Sequence, residues 1–252
     1  MLRIIRTALE RAGFEIRRVS RKQILPSELP DPELYTGPED FSRLFRPWLG
    51  REWDKYFTTQ VVQNTMLSRK KLYFLAKLFA QAIKLPGDVF EAGSGSGGSA
   101  RLMLNCLAES KTTKPMWLLD TFAGYQRVDA SKDGEHVRLN DCRCNSKEEV
   151  EQLLADRAAT VRIIEGLIPG TLEQVSAEKF CFAHIDVNLY EPTLAASNFV
   201  LERLVHGGII LFDDYCWPAT YGARRAIDEA CAKNRQEVLC VPESTQAFLI
   251  KT

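Results

Sequence analysis

The sequence predicts a doubly wound α/β domain. Its mostly parallel, seven-stranded sheet should be closed by an antiparallel C-terminal hairpin and preceded by a helical N-terminal appendage. Three observations predict it. From residue 88 onward, short apolar segments alternate with helical ones, the pattern of a parallel sheet covered on both faces. The last two strand-like segments are separated only by Glu243-Ser244-Thr245, a connection so short that it can only make a hairpin. The chain is 252 residues long, 45% apolar and 26% charged, enough for one such domain plus an appendage.

Composition excludes several classes. Thirty-three basic residues balance 33 acidic ones, so there is no global basic footprint and no nucleic-acid partner is expected. No apolar run reaches 18 residues, so no transmembrane helix is expected. The opening MLRIIRTALERAGF lacks the apolar core and cleavage site of a signal peptide, which predicts a cytoplasmic protein. Seven scattered cysteines predict reduced thiols, and the Cys142-x-Cys144 pair has no second pair at zinc-site spacing.

Residues 1–60 are read as the appendage. Residues 1–22 carry seven basic and two acidic residues, with Leu2, Ile5, Leu9, Ala12 and Ile16 at helical spacing. This basic amphipathic helix could make peripheral contact with an anionic surface, or pack on the main domain or on a second subunit in a homodimer. Pro26, Pro30, Pro32 and Pro38 mark a linker. Phe41, Phe45, Trp48, Trp53, Tyr56 and Phe57 either cap a pocket or anchor the segment.

Residues 61–252 are read as the catalytic domain. A helix over 68–84 places Leu72, Leu75, Phe79 and Ile83 on one face and stops at Pro86-Gly87. Strands follow at 88–93, 116–122, 160–166, 180–186 and 207–214, then at 237–242 and 246–252. Helices lie between them near 98–109, 147–156, 191–204 and 221–234. His206 is expected to close the third of these helices, and His184 to be a hydrogen-bonded core histidine. The polar 123–146 loop is long enough to act as a lid that orders over bound ligands.

Ligands of such sheets bind at the carboxyl ends of the strands. The first strand ends in Glu91-Ala92-Gly93-Ser94-Gly95-Ser96-Gly97-Gly98-Ser99, a glycine loop opening a helix. Gly93, Gly95 and Gly98 satisfy G-x-G-x-x-G, so a nicotinamide-dependent oxidoreductase has to be considered. Asp120 ends the second strand, where an acid binds ribose hydroxyls of either NAD or S-adenosylmethionine. Asp186, Asp213 and Asp214 follow the fourth and fifth strands and should converge. Three carboxylates in one place repel unless a cation joins them, and an all-oxygen set suits Mg²⁺, or Ca²⁺ or Mn²⁺. A metal-assisted O-methyltransferase needs such a cluster, because the cation can hold and acidify an acceptor hydroxyl.

The parallel sheet with its antiparallel end resembles the class I S-adenosylmethionine-dependent methyltransferase fold. More specifically, the sequence resembles the macrocin O-methyltransferase family. The resemblance is carried by Asp88-Val89-Phe90-Glu91-Ala92-Gly93 with Gly97-Gly98-Ser99, by Leu119-Asp120-Thr121-Phe122-Ala123-Gly124-Tyr125, and by Ala183-His184-Ile185-Asp186-Val187-Asn188-Leu189-Tyr190-Glu191-Pro192-Thr193. Gly207-Gly208-Ile209-Ile210-Leu211-Phe212-Asp213-Asp214-Tyr215 and Gly222-Ala223-Arg224-Arg225-Ala226-Ile227-Asp228-Glu229 complete it.

The resemblance implies that Asp186, Asp213 and Asp214 bind Mg²⁺. It implies an S-adenosyl-L-methionine site lined by Glu91, Gly93, Ser94, Gly95, Gly98, Ser99, Asp120, Thr121 and Phe122, with Asp120 on the ribose and Met66 and Ser68 approaching. The acceptor it implies is a small molecule or glycan, first of all a sugar hydroxyl. One position departs from the family. The second acid of its D-x-D, the expected general base, is Asn188 here, and an amide cannot take the proton. The metal could suffice with Asn188 orienting the hydroxyl, or His136, Asp129 or Asp141 of the long loop could serve as base. A third reading is a more acidic phenol or catechol acceptor, and a fourth is a non-catalytic S-adenosylmethionine-binding protein.

Overall fold

A computed structural model of the chain describes residues 35–36, 44–134 and 137–252. The expected basic helix over 1–22, most of the proline-rich linker, Phe41 and His136 lie outside the described residues. Two compact units divide after Gly50. In the first, Tyr35–Thr36 pairs antiparallel with Leu44–Phe45, and a 3-10 turn spans Pro47–Leu49. The second, from Arg51 to Thr252, carries the sheet. Residues 51–60 belong to this second unit. The buried Trp53 ring lies 5.6 Å from Phe57 and 4.7 Å from Tyr73.

The strands are β1 (Asp88–Ala92), β2 (Met116–Asp120), β3 (Val161–Glu165), β4 (Phe180–Ile185), β5 (Leu204–Phe212), β6 (Leu239–Cys240) and β7 (Ala247–Ile250). Their order across the sheet is β3-β2-β1-β4-β5-β7-β6, with only β7 and β6 antiparallel to their neighbours. The long helices are α1 (Arg69–Ala82), α2 (Gly98–Glu109), α3 (Lys147–Leu153), α4 (Tyr190–Arg203) and α5 (Tyr221–Asn234).

Successive strand residues face opposite sides of the sheet, so each strand feeds two cores. Leu118, Phe182, Ile209 and Leu211 join Leu72, Leu75, Phe79 and Met103 of α1 and α2 on one side. Leu119, Ala183, Ile210 and Phe212 join Val200, Ile227 and Ala230 of α4 and α5 on the other. This two-sided burial is why the strands read as apolar runs.

Two details differ from expectation. His206 lies within β5 instead of ending a helix. Leu204 already has extended dihedrals and pairs with Phe180, so the chain passes straight from α4 into the sheet. The hairpin strand expected over 237–242 is ladder-paired only at Leu239 and Cys240. Among the described residues no helix is long and apolar enough to cross a membrane, and all seven cysteines are free.

The topology positions the site. Strand order reverses at β1, which has β2 on one side and β4 on the other, so a crevice opens at their carboxyl ends. Gly93 makes that crevice close-built. At φ +85° it occupies the left-handed region, and a Cβ there would lie 1.9 Å from the carbonyl oxygen of Asp186.

Candidate active site

A cleft at these strand ends encloses roughly 1210 Å³, open solvent at its mouth included. Of the residues expected to bind cofactor, Met66, Gly93, Gly95, Asp120 and Thr121 line it, as do Asp186 and Asn188. The others are not part of its lining. Ser68 caps α1, accepting the Lys71 N–H at 3.3 Å. Ser94, Ser99 and Phe122 are buried. Gly98 opens α2 against the chain at Asn64, whose carbonyl accepts its N–H at 2.9 Å. Glu91 is fully buried and turned to His184, whose Nδ1 stands 2.9 Å from its Oε1.

Asp120 is held ready. Its Oδ2 accepts the Gly95 N–H and its Oδ1 the Phe122 N–H, both at 2.8 Å. A carboxylate offers about four lone-pair sites, so about two stay open for a vicinal diol. Burial raises its pKa above the ordinary carboxylate range, against the lowering effect of those N–H groups.

Of the three carboxylates only Asp186 lines this cleft; Asp213 is buried, and neither it nor Asp214 is part of the lining. Asp186, Asp213 and His184 each present a ligand atom within 4.8 Å of the others. Asp213 is locked from several sides. Gln246 Nε2 donates to its Oδ1 at 2.8 Å, and the Thr245 hydroxyl donates to its carbonyl at 2.9 Å. The Lys71 ammonium donates to its Oδ2 and stands 3.6 Å from Asp214 Oδ1.

Burial and the two neighbouring carboxylates push the pKa of Asp186 well above the ordinary value. Burial and Asp213 push that of Asp214 up as well. Burial would raise Asp213 too, but His184 and Lys71 hold it low. Burial works against a charged His184, yet Asp213 and Glu91 outweigh it and bring its pKa to about 10. Its Nε2, 3.9 Å from Asp213, has no hydrogen-bond partner.

This donor set fits a divalent cation. Hard carboxylate oxygens converge, and burial together with like-charge repulsion raises the pKa of Asp186 and Asp214, a cost that a cation bound among them would relieve.

The Asn188 position has its own support. Its φ of +59° is a conformation that asparagine tolerates better than most residues. Its Nδ2 donates to Tyr125 Oη at 2.6 Å, and Cys142 Sγ lies 3.1 Å from the same oxygen. Asn188 Oδ1 is buried and unpartnered. Of the loop acids, Asp129 lines the cleft, but the Ser131 hydroxyl and N–H hold its pKa low, which makes it a poorer proton acceptor. Asp141 binds the Arg138 N–H.

Sequence reasoning gave no role to Lys71, Tyr125 or Cys142. For Lys71 a signal existed: Arg69, Lys70 and Lys71 crowd the first turn of a helix with no acid there. The helix dipole disfavours cations at that end, so such residues call for partners elsewhere in the fold.

The chain matches a family model described as macrocin-O-methyltransferase (TylF) over residues 34–238. It is 29% identical over 180 residues to a Streptomyces olivaceus enzyme named 8-demethyl-8-(2,3-dimethoxy-alpha-L-rhamnosyl)-tetracenomycin-C 4'-O-methyltransferase. That match covers 66% of this chain and 66% of the enzyme's length. Among solved structures, the O-methyltransferase NovP superposes with a TM-score of 0.63 at 24% identity, over 75% of this chain and 82% of that one. An O-methyltransferase from Bacillus cereus, in complex with SAH, superposes at 0.54 and 14% identity, over 80% and 91%. These structures share the fold. With the family model matched across most of its length, strand tips and glycine loop included, the chain belongs to the macrocin O-methyltransferase family.

Proposed function

We propose that this protein transfers the methyl group of S-adenosylmethionine to a sugar hydroxyl held beside a carboxylate-bound divalent cation. One observation carries the reading. A single cleft joins a ribose-binding apparatus (Gly93, Gly95, Asp120) to the Asp186 carboxylate and Asn188. Family membership and the rhamnosyl-modifying relative supply the reaction and the acceptor class. They also favour S-adenosylmethionine over a dinucleotide as the ligand of the glycine loop.

Asp186, Asp213 and Asp214 would hold the cation, and a bound Mg²⁺ would polarise the acceptor hydroxyl and lower its pKa. The remaining work falls to side chains of this chain. Asp120 fixes the nucleoside through its open lone pairs. Asn188 lines the cleft beside Asp186 and would orient the acceptor hydroxyl, its amide nitrogen braced on Tyr125 Oη. The 123–146 segment supplies Gly124, Tyr125 and Cys142 to the cleft wall.

The test is transfer of labelled methyl from S-adenosylmethionine to a set of rhamnosylated and other deoxysugar glycosides, with Mg²⁺ and with EDTA. The expected result is label on a sugar oxygen, lost on chelation. Undiminished transfer in excess EDTA would remove the metal from the reading. Label on a phenol alone would remove the sugar.

Asn188 gives a second expectation. With Asn188→Ala, the KM for acceptor should rise about tenfold, the loss of roughly one hydrogen bond, while affinity for S-adenosylhomocysteine stays unchanged. Steady-state kinetics with calorimetry reads both. An unaltered KM would leave Asn188 without a part.

A further inference from the structure

We propose that Lys71 is a built-in counter-cation of the carboxylate cluster, and that a divalent ion binds there by displacing its ammonium group. The inference rests on the metal-assisted reading above.

The position of Lys71 is otherwise unfavourable. It sits in the first turn of α1, where the helix dipole opposes a positive charge, and its side chain is only 19% exposed. What offsets this is the cluster. The ammonium donates to Asp213 and stands 3.6 Å from Asp214. Ser68 fixes the turn that aims it there, by capping the Lys71 N–H. Asp213 cannot turn away, because Gln246 holds its other oxygen. The preceding residue, Lys70, donates to the Glu243 carbonyl at 2.8 Å and so ties the same turn to the C-terminal hairpin.

The ammonium therefore uses the Asp213 and Asp214 oxygens that a divalent ion would need. A metal and an ammonium sharing them would repel each other. The lysine is the mobile partner: it is a point charge on a flexible four-carbon stem, whereas the aspartates end two strands. Two states follow. Without metal, Lys71 neutralises part of the cluster and keeps these buried acids from forcing the strand tips apart. With metal, Lys71 swings out. The cost of that displacement weakens divalent-ion affinity and makes metal entry sensitive to the first turn of α1.

The experiment compares wild type with Lys71→Met, using Mn²⁺ as the probe. Binding is read by water-proton relaxation, stability by thermal unfolding, and S-adenosylhomocysteine binding by calorimetry confirms the fold. The proposal expects Mn²⁺ to bind Lys71→Met at least tenfold more tightly than wild type. It also expects the variant to melt lower than wild type in EDTA and to be restored by Mn²⁺. Equal Mn²⁺ affinities, or a variant whose melting ignores Mn²⁺, would overturn it.

Should Lys71→Met fail to fold, wild-type protein decides by reductive methylation and mass spectrometry. Labelling of Lys71 should rise several-fold in millimolar Mn²⁺ while exposed Lys111 stays constant, and unchanged Lys71 labelling overturns the proposal. Failure here leaves S-adenosylhomocysteine binding and methyl transfer intact. Failure of the methyltransferase reading would abolish both.

Discussion

Asp120→Ala should lower affinity for S-adenosylhomocysteine about a hundredfold. The wild-type carboxylate has Gly95 and Phe122 N–H groups at 2.8 Å on its two oxygens, which set its plane and leave lone pairs for the ribose diol. Hydrogen bonds to a charged acceptor contribute about 1.5–3 kcal/mol each, so losing two corresponds to about 3 kcal/mol or more, about a hundredfold or greater.

Stability should change less. Burial raises the pKa of Asp120 in the folded protein. A raised acid binds its proton more tightly folded than unfolded, so its ionised form costs stability above that pKa, and the cost is relieved as pH falls. Alanine removes this cost while it removes two acceptors. By the same sign, wild-type affinity should decline on acidification, starting above the ordinary carboxylate range, because the protonated acid loses acceptor capacity. Calorimetric titration across pH, with thermal melts alongside, reads both. Wild-type affinity in Asp120→Ala would take Asp120 out of the cofactor site.

Gly93→Ala should be the most damaging single methyl addition near the cleft. The new Cβ would lie 1.9 Å from the Asp186 carbonyl oxygen and 2.6 Å from its carbon, and the backbone stands at φ +85°. Neither contact can be relieved by turning a side chain, so β1 and β4 must part at the crevice. Left-handed strain of about 1–2 kcal/mol adds to overpacking of about 1–3 kcal/mol. A loss of about 3 kcal/mol or more in denaturant unfolding is expected, together with loss of S-adenosylhomocysteine binding. Gly170→Ala is the control. No atom lies within 4 Å of its added Cβ, and its stability should stay within about 0.5 kcal/mol of wild type. Equal effects at the two positions would contradict this account of the crevice.

Much of the fold was legible because two-sided burial leaves a strong mark. β4 runs Phe-Cys-Phe-Ala-His-Ile with every residue buried, and the stops before and after α1 and α2 are glycine, proline and serine. Strand tips follow from strand ends, which is why the sequence alone places Asp120, Asp186 and Asp213 near the crevice. Less legible were features set by what faces what. His206 looked like a helix closer because an isolated sequence does not show that Leu204 already pairs with Phe180. Glu91 stood in a cofactor motif, but its side chain turns into the sheet to meet His184. Lys71 lies 142 positions from Asp213, and Tyr125 lies 63 from Asn188. Both partnerships depend on how a helix end and a loop fold back over the sheet, and local pattern carries little trace of that.

The central claim is that the glycine loop and Asp120 form an S-adenosylmethionine site. Isothermal titration calorimetry of the wild-type protein, with S-adenosylhomocysteine in one experiment and NADH in another, tests it most directly. The account predicts saturable binding of S-adenosylhomocysteine at one site per chain and no heat of binding with NADH. Binding of NADH in the absence of S-adenosylhomocysteine binding would contradict it.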